Sequence, residues 1–206
     1  MKYVEINQVD TDGMILEIVL NRPEARNAFT TEMAEQILEI LQSLENSDIR
    51  VLLITSSDSK AFCAGADLKE RNKLNESEWL KQHLLFQKMF NTIQNMKQPV
   101  IAVVDGYTIG GGFEIALNCD MIIAAKTAIF GLPEVTRGIM PGGGGTRLLS
   151  KRIGVHRAKE WICSGKLVSG EEADKAGLLN ALTEPSDLRV KAFKLAEDIA
   201  KNAPLA

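Results

Sequence analysis

The sequence predicts an α/β fold in a single domain, and three observations support this prediction. Apolar runs rich in β-branched residues recur along the 206 residues, each of a length expected for a strand. Segments with apolar residues at helical spacing alternate with these runs, an order that is typical of helices packed on sheets. No internal repeat, low-complexity tract or linker divides the chain.

Four strands are predicted from the apolar runs. They cover residues 14–20, 50–56, 100–104 and 121–125. The clearest helix covers residues 31–46, where Met33 and Ile37 lie on one face and glutamates lie on the opposite face. A second helix is predicted over residues 76–96. It ends before Pro99, because proline disfavours the helical conformation at the residue that precedes it.

Two helices are predicted in the last quarter of the chain. Residues 169–172 form a capping box that predicts a short helix ending near Gly177. Ser186 and Asp187 are the candidate caps of a last helix that runs toward Asn202.

Composition and charge argue against several classes of function. A net charge of −3 provides no general attraction to nucleic acid or to anionic membranes. No apolar run approaches the ~18 residues that a membrane span requires. The first residues also lack the basic and apolar segments of a signal peptide. We therefore expect a cytoplasmic protein with no nucleic-acid or membrane partner.

The cysteines and histidines give little support for disulfide or metal chemistry. Cys63, Cys119 and Cys163 are odd in number and widely spaced, which favours free thiols over a disulfide framework. His83 and His156 are the two histidines, and the sequence contains no CxxC pair. No metal site is predicted.

Three glycine-rich turns interrupt the alternation of strands and helices, at residues 62–68, 105–114 and 141–146. Glycine lets the backbone approach a ligand closely, and a helix that follows presents free N–H groups. Two such turns can together form an oxyanion hole, although the same glycines can also simply close tight turns. Dinucleotide binding is poorly supported, because Ile115 and Arg147 occupy the last glycine position of GxGxxG.

Two glutamates in apolar surroundings accompany these turns. Glu114 follows a run of three glycines, and Glu134 lies in the apolar segment 129–135. Glu114 alone is also explained as an acid that satisfies the dipole of a helix N-terminus. Carboxyl groups among apolar residues tend to have raised pKa values. Two of them suit the addition of water, which needs both an acid and a base.

These motifs resemble, in order and spacing, those of the crotonase superfamily, the enoyl-CoA hydratase and isomerase group. The resemblance covers nearly the whole chain. The matching segments are 20–28 (LNRPEARNA), 61–69 (AFCAGADLK), 106–114, Cys119-Asp120, Pro133-Glu134 and 141–145.

The resemblance implies a fold and an assembly. The expected fold is a spiral of ββα units with two roughly perpendicular sheets, and the expected assembly is a homotrimer or a hexamer. The crotonase core is expected to occupy residues 1–195. Residues 196–206 are expected to begin a C-terminal helical region that is truncated here.

The resemblance also implies roles for individual residues. The N–H groups of Ala66 and Gly111 would form the oxyanion hole for the thioester carbonyl. Glu114 and Glu134 would hold one water molecule, with Glu114 activating it and Glu134 supplying the proton to C2. The residues expected to line the coenzyme A and acyl site are Ala64, Gly65, Asp67, Leu68, Lys69 and Gly110. No separate cofactor is implied, because coenzyme A is part of the acyl-CoA thioester substrate.

Within the superfamily, the loop at residues 62–71 and the glycines at 142–145 most resemble the methylglutaconyl-CoA hydratase branch of leucine degradation. Its substrate carries a distal carboxylate that needs a cation, for which Lys69, Arg71 and Arg137 are candidates. A short-chain enoyl-CoA hydratase of fatty-acid oxidation is the main alternative. A Δ3–Δ2-enoyl-CoA isomerase is less favoured because both acids are present. An RNA-binding module is the least supported alternative, because the predicted helix 31–46 is acidic.

Overall fold

The computed structural model describes residues 3–204 and divides them between two sheets and eight α-helices. The strands are β1 (Val4–Gln8), β2 (Ile15–Leu20), β3 (Val51–Ser56), β4 (Ala61–Cys63), β5 (Val100–Val104), β6 (Tyr107–Ile109), β7 (Met121–Ala125), β8 (Ile129–Gly131), β9 (Leu167–Ser169) and β10 (Ala181–Thr183). The helices are α1 (Thr31–Ser43), α2 (Leu68–Arg71), α3 (Glu76–Gln94), α4 (Gly111–Asn118), α5 (Gly145–Ile153), α6 (Val155–Ser164), α7 (Gly170–Lys175) and α8 (Leu188–Ala200).

From β3 to β8, successive strands alternate between the two sheets. The larger sheet has the order β1-β2-β3-β5-β7-β10 and the smaller one the order β4-β6-β8-β9. The pairs β3–β4, β5–β6 and β7–β8 each place one strand in each sheet before the chain enters helices. This repeated ββα order confirms the predicted α/β fold of crotonase type.

The larger sheet is covered on both faces, which explains the continuous apolar runs that predicted its strands. In β3, Leu52 and Ile54 contribute to the main core, while Leu53 faces the second core together with Ala192 and Ala196 of α8. Alternating side chains therefore reach two different cores. All four strands predicted from the sequence are present in this sheet.

The predicted helices are present, with small differences at their ends. Helix α1 ends at Ser43, not at residue 46. Helix α3 begins with a capping box in which Asn75 and Glu78 each bind the other's backbone N–H. The Ser169 side chain caps α7 as predicted, by accepting from the N–H of Glu172.

The predicted side-chain cap of α8 by Ser186 or Asp187 was wrong. Residues 185–187 form a 3-10 turn, which leaves Asp187 in a right-handed helical conformation with φ −101° and ψ −6°. An N-cap side chain reaches the helix N–H groups from an extended backbone, and Asp187 does not have one. No side-chain cap bond is made there.

Three further expectations bear on the class of protein. No helix within residues 3–204 combines the length and apolar character needed to cross a membrane. Over the same residues, no cluster of three His, Cys, Asp or Glu side chains has the arrangement of a metal site. All three cysteines are free thiols, with Cys63 and Cys119 buried and Cys163 exposed.

Candidate active site

The loop that follows β4 is held in place by the segment before α1. The N–H of Phe29 donates to the Gly65 carbonyl at 2.9 Å, and the N–H of Asp67 donates to the Phe29 carbonyl at 2.9 Å. These bonds form a parallel β-bridge between Phe29 and Ala66. The Ala66 N–H itself has no acceptor within the described part of the chain.

Asp67 has a structural role in this loop. Its Oδ1 accepts from the N–H groups of Lys69 and Glu70 and so caps α2. Its Oδ2 forms an ion pair with Arg22 at 2.7 Å. Burial acts to raise the pKa of Asp67, but the bonds from Arg22, Glu70 and Lys69 together outweigh it and lower that pKa. An ionised, fixed carboxylate therefore anchors the backbone next to Ala66.

The second glycine turn joins β6 to α4. Gly110 has a left-handed φ of +56°, and its N–H donates to the Gly131 carbonyl at 2.8 Å. Gly111 is the first residue of α4, so its N–H has no acceptor inside the helix, and none is found elsewhere in residues 3–204. A Cβ on Gly112 would overlap the Cys63 carbonyl, so α4 can begin this close to β4 only with glycine there.

The two turns meet. A Cβ on Gly65 would lie 3.2 Å from the Gly111 nitrogen, and a Cβ on Gly111 would lie 3.6 Å from the Ala66 nitrogen. The structure thus brings together the two residues expected to form the oxyanion hole. Neighbouring N–H groups without acceptors are suited to stabilise negative charge on a carbonyl oxygen.

Glu114 lies in the first turn of α4 and is only 3% exposed. Its Oε1 accepts from the N–H of Gly143 at 2.6 Å and from the N–H of Gly145 at 2.8 Å. Burial raises the pKa of Glu114, while hydrogen bonds from Gly145, Gly143 and Gly142 act in the opposite direction. The third glycine turn therefore forms a backbone cradle for this carboxyl group.

Glu134 lies in the 3-10 turn Pro133–Arg137, which follows β8. Its Oε2 is buried and has no hydrogen-bond partner within the described residues. Burial raises the pKa of Glu134 to about 7, and the charge of Glu114 acts in the same direction. A Cβ on Gly110 would lie 3.2 Å from Oε1 of Glu134, so this carboxyl lies against the turn that carries Gly111.

The two carboxyl groups have different environments although they share one site. Glu114 receives several backbone N–H bonds, whereas a buried oxygen of Glu134 receives none. Unlike environments give two carboxyl groups different proton affinities, so one can act as an acid while the other acts as a base. Their geometry fits the paired roles expected for them.

Helix α3 forms one wall of the site, which sequence reasoning missed. The Phe86 ring lies 4.8 Å from the Phe29 ring, centroid to centroid. The Phe90 ring occupies the space that a side chain on Gly143 would need. Phe86 and Phe90 are four residues apart, as on any buried helix face, so the sequence contained no signal that distinguished them from ordinary core residues.

The other residues expected to line the site lie along the same two turns. Gly65 and Gly110 form the contact between the turns. Ala64 is partly exposed beside Gly65, while Leu68 and Lys69 begin α2 and are exposed. Their roles in binding coenzyme A stay predictions.

The three candidate cations differ in their surroundings. Lys69 and Arg137 are exposed. Arg71 is partly buried, and its guanidinium carbon lies 5.1 Å from the Trp79 ring centroid and 5.8 Å from the Phe86 ring centroid. Burial lowers the pKa of Arg71, although a guanidinium stays charged in proteins. Its guanidinium makes no hydrogen bond or ion pair with another described residue, and the nearby charge of Glu70 acts to raise its pKa.

Comparisons with known proteins identify the family to which the chain belongs. The sequence profile of the enoyl-CoA hydratase/isomerase family matches residues 10–206. The short-chain-enoyl-CoA hydratase of Clostridium acetobutylicum is 38% identical, over 98% of this chain and 79% of that protein. The human mitochondrial enoyl-CoA hydratase domain-containing protein 2 is 44% identical, over 95% of this chain and 68% of that protein.

A solved structure has the same fold. The enoyl-CoA hydratase of Bacillus anthracis superimposes with a TM-score of 0.95 at 37% identity, covering 98% of this chain and 78% of that one. Both the sequence and the fold therefore match over nearly the whole chain, which belongs to the enoyl-CoA hydratase/isomerase family of the crotonase superfamily.

Proposed function

We propose that this protein is an enoyl-CoA hydratase that adds water syn across the 2,3 double bond of an acyl-CoA thioester. One observation carries this proposal. Two glutamates with unlike environments, the buried Glu114 and the partly buried Glu134, lie beside a pair of N–H groups that have no acceptor among the described residues. Hydration needs both an acid and a base, whereas a double-bond shift can proceed with a single carboxyl group that moves one proton.

Each group at the site has a role set by the charge or proton that it handles during hydration. The N–H groups of Ala66 and Gly111 bind the thioester carbonyl and stabilise the enolate oxygen. Glu114 accepts a proton from water as the water oxygen bonds to C3. Glu134, protonated in part near neutral pH because its pKa is about 7, delivers a proton to C2. Both acids act from one side of the double bond, which makes the addition syn.

The proposal also concerns the identity of the acyl group that the substrate carries. Arg71 is a partly buried cation without a hydrogen-bonding partner within residues 3–204, and the Phe86 ring beneath it adjoins Phe29, which contacts the Gly111 turn. A substrate carboxylate is a fitting partner for such a guanidinium. This supports 3-methylglutaconyl-CoA as the substrate. The similarity to a short-chain-enoyl-CoA hydratase favours crotonyl-CoA as the alternative.

Assembly and location also remain proposals. Val135, Ile139 and Met140 are large apolar residues close to Glu134 in sequence, and they are 45%, 54% and 72% exposed. An exposed apolar surface of this kind supports a homotrimer or a hexamer, which light scattering after size-exclusion chromatography would measure. The expected cytoplasmic location stays a prediction, since the human relative is named as mitochondrial.

Three substrates test the proposal. Hydration of crotonyl-CoA and of 3-methylglutaconyl-CoA is followed as loss of the ultraviolet absorbance of the conjugated thioester. With a 3-enoyl-CoA, a double-bond shift would produce that conjugated thioester and increase the same absorbance. Faster hydration of 3-methylglutaconyl-CoA is expected. Equal or faster hydration of crotonyl-CoA would favour the short-chain alternative. A double-bond shift without hydration would overturn the proposal.

A further inference from the structure

We propose that Asn118 is a positioning residue for the reaction, because it holds the glycine cradle that orients the carboxylate of Glu114. This inference rests on the proposed function, since it assigns Glu114 a part in catalysis. Asn118 is the last residue of α4, one turn after Glu114, and it is 5% exposed.

The side chain of Asn118 joins two segments that are far apart in sequence. Its Nδ2 donates to the carbonyl oxygen of Glu114 at 2.8 Å and to the carbonyl oxygen of Gly143 at 2.8 Å. Both partners are carbonyl acceptors, so only the NH₂ group of the amide can serve them. The orientation of the side chain is fixed by this requirement.

Gly143 is consequently bound to α4 through both of its polar groups. Its N–H donates to Oε1 of Glu114 at 2.6 Å, and its carbonyl accepts from Asn118. A closed loop of bonds results, running from the Glu114 carboxylate through Gly143 and Asn118 back to the Glu114 main chain. The carboxylate and the donor that holds it are thus fixed to the same helix.

The glycine-rich composition of the cradle makes a restraint from another segment necessary. Residues 142–145 are four consecutive glycines, which have wide backbone freedom and no side chains that could fix their peptide planes. A side chain on Gly143 would be excluded by the Phe90 ring. The Asn118 amide therefore supplies, from the helix, the restraint that the glycine segment cannot supply itself.

Other charged groups around α4 do not replace this contact. Glu134 is a second carboxyl group, whose own pKa is raised by the charge of Glu114. His83 of α3 lies near Gly142. Arg152 of α5 donates to the Cys119 carbonyl, beyond the far end of α4. None of these groups donates a hydrogen bond to the Glu114 carboxylate.

Asn118→Leu tests the proposal because it removes the amide at nearly constant size. A weakened cradle favours the neutral carboxyl, so the pKa of Glu114 should rise, and kcat should fall about tenfold with KM little changed. Gln98→Met is the matched control. Gln98 is also a buried amide, 8% exposed, and it donates to a backbone carbonyl, that of Leu44, at the end of α1.

Two measurements are made on each variant. Hydration is measured against pH, and the carboxyl carbon of Glu114 is titrated by NMR, with Glu114→Gln used to assign its signal. The proposal predicts a raised Glu114 pKa and a slower kcat in Asn118→Leu but not in Gln98→Met. The titration does not depend on turnover, so it decides the role of Asn118 even if the wild-type protein hydrates no substrate and the proposed function fails.

Two outcomes would overturn the proposal. One is a folded Asn118→Leu protein with an unchanged Glu114 titration, which would leave Asn118 as a helix-end contact only. If that variant does not fold, Asn118→Ser replaces it, because serine can still donate to the carbonyl four residues earlier. Failure of both variants to fold would assign Asn118 a purely structural role.

Discussion

Arg22 and Asp67 form an ion pair one residue beyond Ala66, whose N–H is a proposed oxyanion-hole donor, with 2.7 Å between the Arg22 Nη1 and the Asp67 Oδ2. The same Nη1 donates to the Ala28 carbonyl at 2.7 Å. Both residues of the pair are largely shielded from solvent, with side chains 17% and 11% exposed. The pair therefore links the segment before α1 to the loop that carries Ala66.

Arg22→Met should slow hydration about tenfold, because loss of the ion pair lets the Ala66 N–H move away from the carbonyl oxygen. It should also lower the free energy of unfolding by about 2 kcal/mol, because Asp67 is left without its charged partner. Steady-state kinetics and urea denaturation measure the two effects. Glu24→Gln is the control, since Glu24 is 68% exposed and 3.8 Å from Arg22. A destabilised but fully active Arg22→Met would show that the pair supports only the fold.

Gly111→Pro compared with Gly111→Ala isolates one donor of the proposed oxyanion hole. Both variants add a Cβ that would lie 2.8 Å from the Phe29 ring, but only proline removes the N–H. Proline is tolerated at the first position of a helix, so α4 should be retained. Turnover of Gly111→Pro should fall at least ~100-fold below that of Gly111→Ala. Equal rates in the two variants would mean that the Gly111 N–H has no catalytic part.

Glu134→Gln should stabilise the protein in a manner that depends on pH. Burial raises the pKa of Glu134 from 4.5 to about 7, so the folded state binds the proton more tightly than the unfolded state. The wild-type protein therefore loses stability as pH rises from 4.5 through 7, whereas the amide does not ionise. At pH 8 the variant should be more stable by about 2 kcal/mol, which is less than the ~3 kcal/mol that the full pKa change would give, because solvent screens the partly exposed carboxylate. The gain should be small near pH 4.5. A stability difference that is the same at both pH values would contradict the raised pKa.

Arg71→Met should lower kcat/KM only for substrates that carry a distal carboxylate. If the guanidinium binds a distal carboxylate, kcat/KM for 3-methylglutaconyl-CoA should fall by about 10- to 100-fold, as expected for loss of a charge-assisted hydrogen bond. The rate with crotonyl-CoA should be nearly unchanged. Lys73→Met is the matched control because Lys73 is an exposed cation just after the same helix and has no expected role in binding. An equal loss with both substrates would show that Arg71 supports the wall of the site rather than the acyl end.

Much of the fold was predictable because its central strands are buried on both faces, which leaves continuous apolar runs in the sequence. Ala66 and Gly111 were identified through family motifs, but their adjacency depends on the parallel pairing of β4 with β6. Those strands have three residues each. Segments so short give no periodic signal that could predict their partner.

The contacts of Asp67 and Asn118 were not predictable, because they also depend on which distant segments pack together. Asp67 was expected to line the coenzyme A site, which stays a prediction, but its bonds to Arg22 and to the N-terminus of α2 were not anticipated. Asn118 and Gly143 are 25 positions apart, and only the packed fold brings them to 2.8 Å. A single sequence records which groups can donate or accept hydrogen bonds, but not which of them meet.

The most direct test of the paired-acid account is hydration by Glu114→Gln, Glu134→Gln and the double variant, each shown by circular dichroism to be folded. Each single substitution should reduce kcat at least ~100-fold. The double variant should be about as slow as the slower single one, because residues that act as a unit are not additive. Near-normal turnover in either single variant would contradict the claim that Glu114 and Glu134 work together.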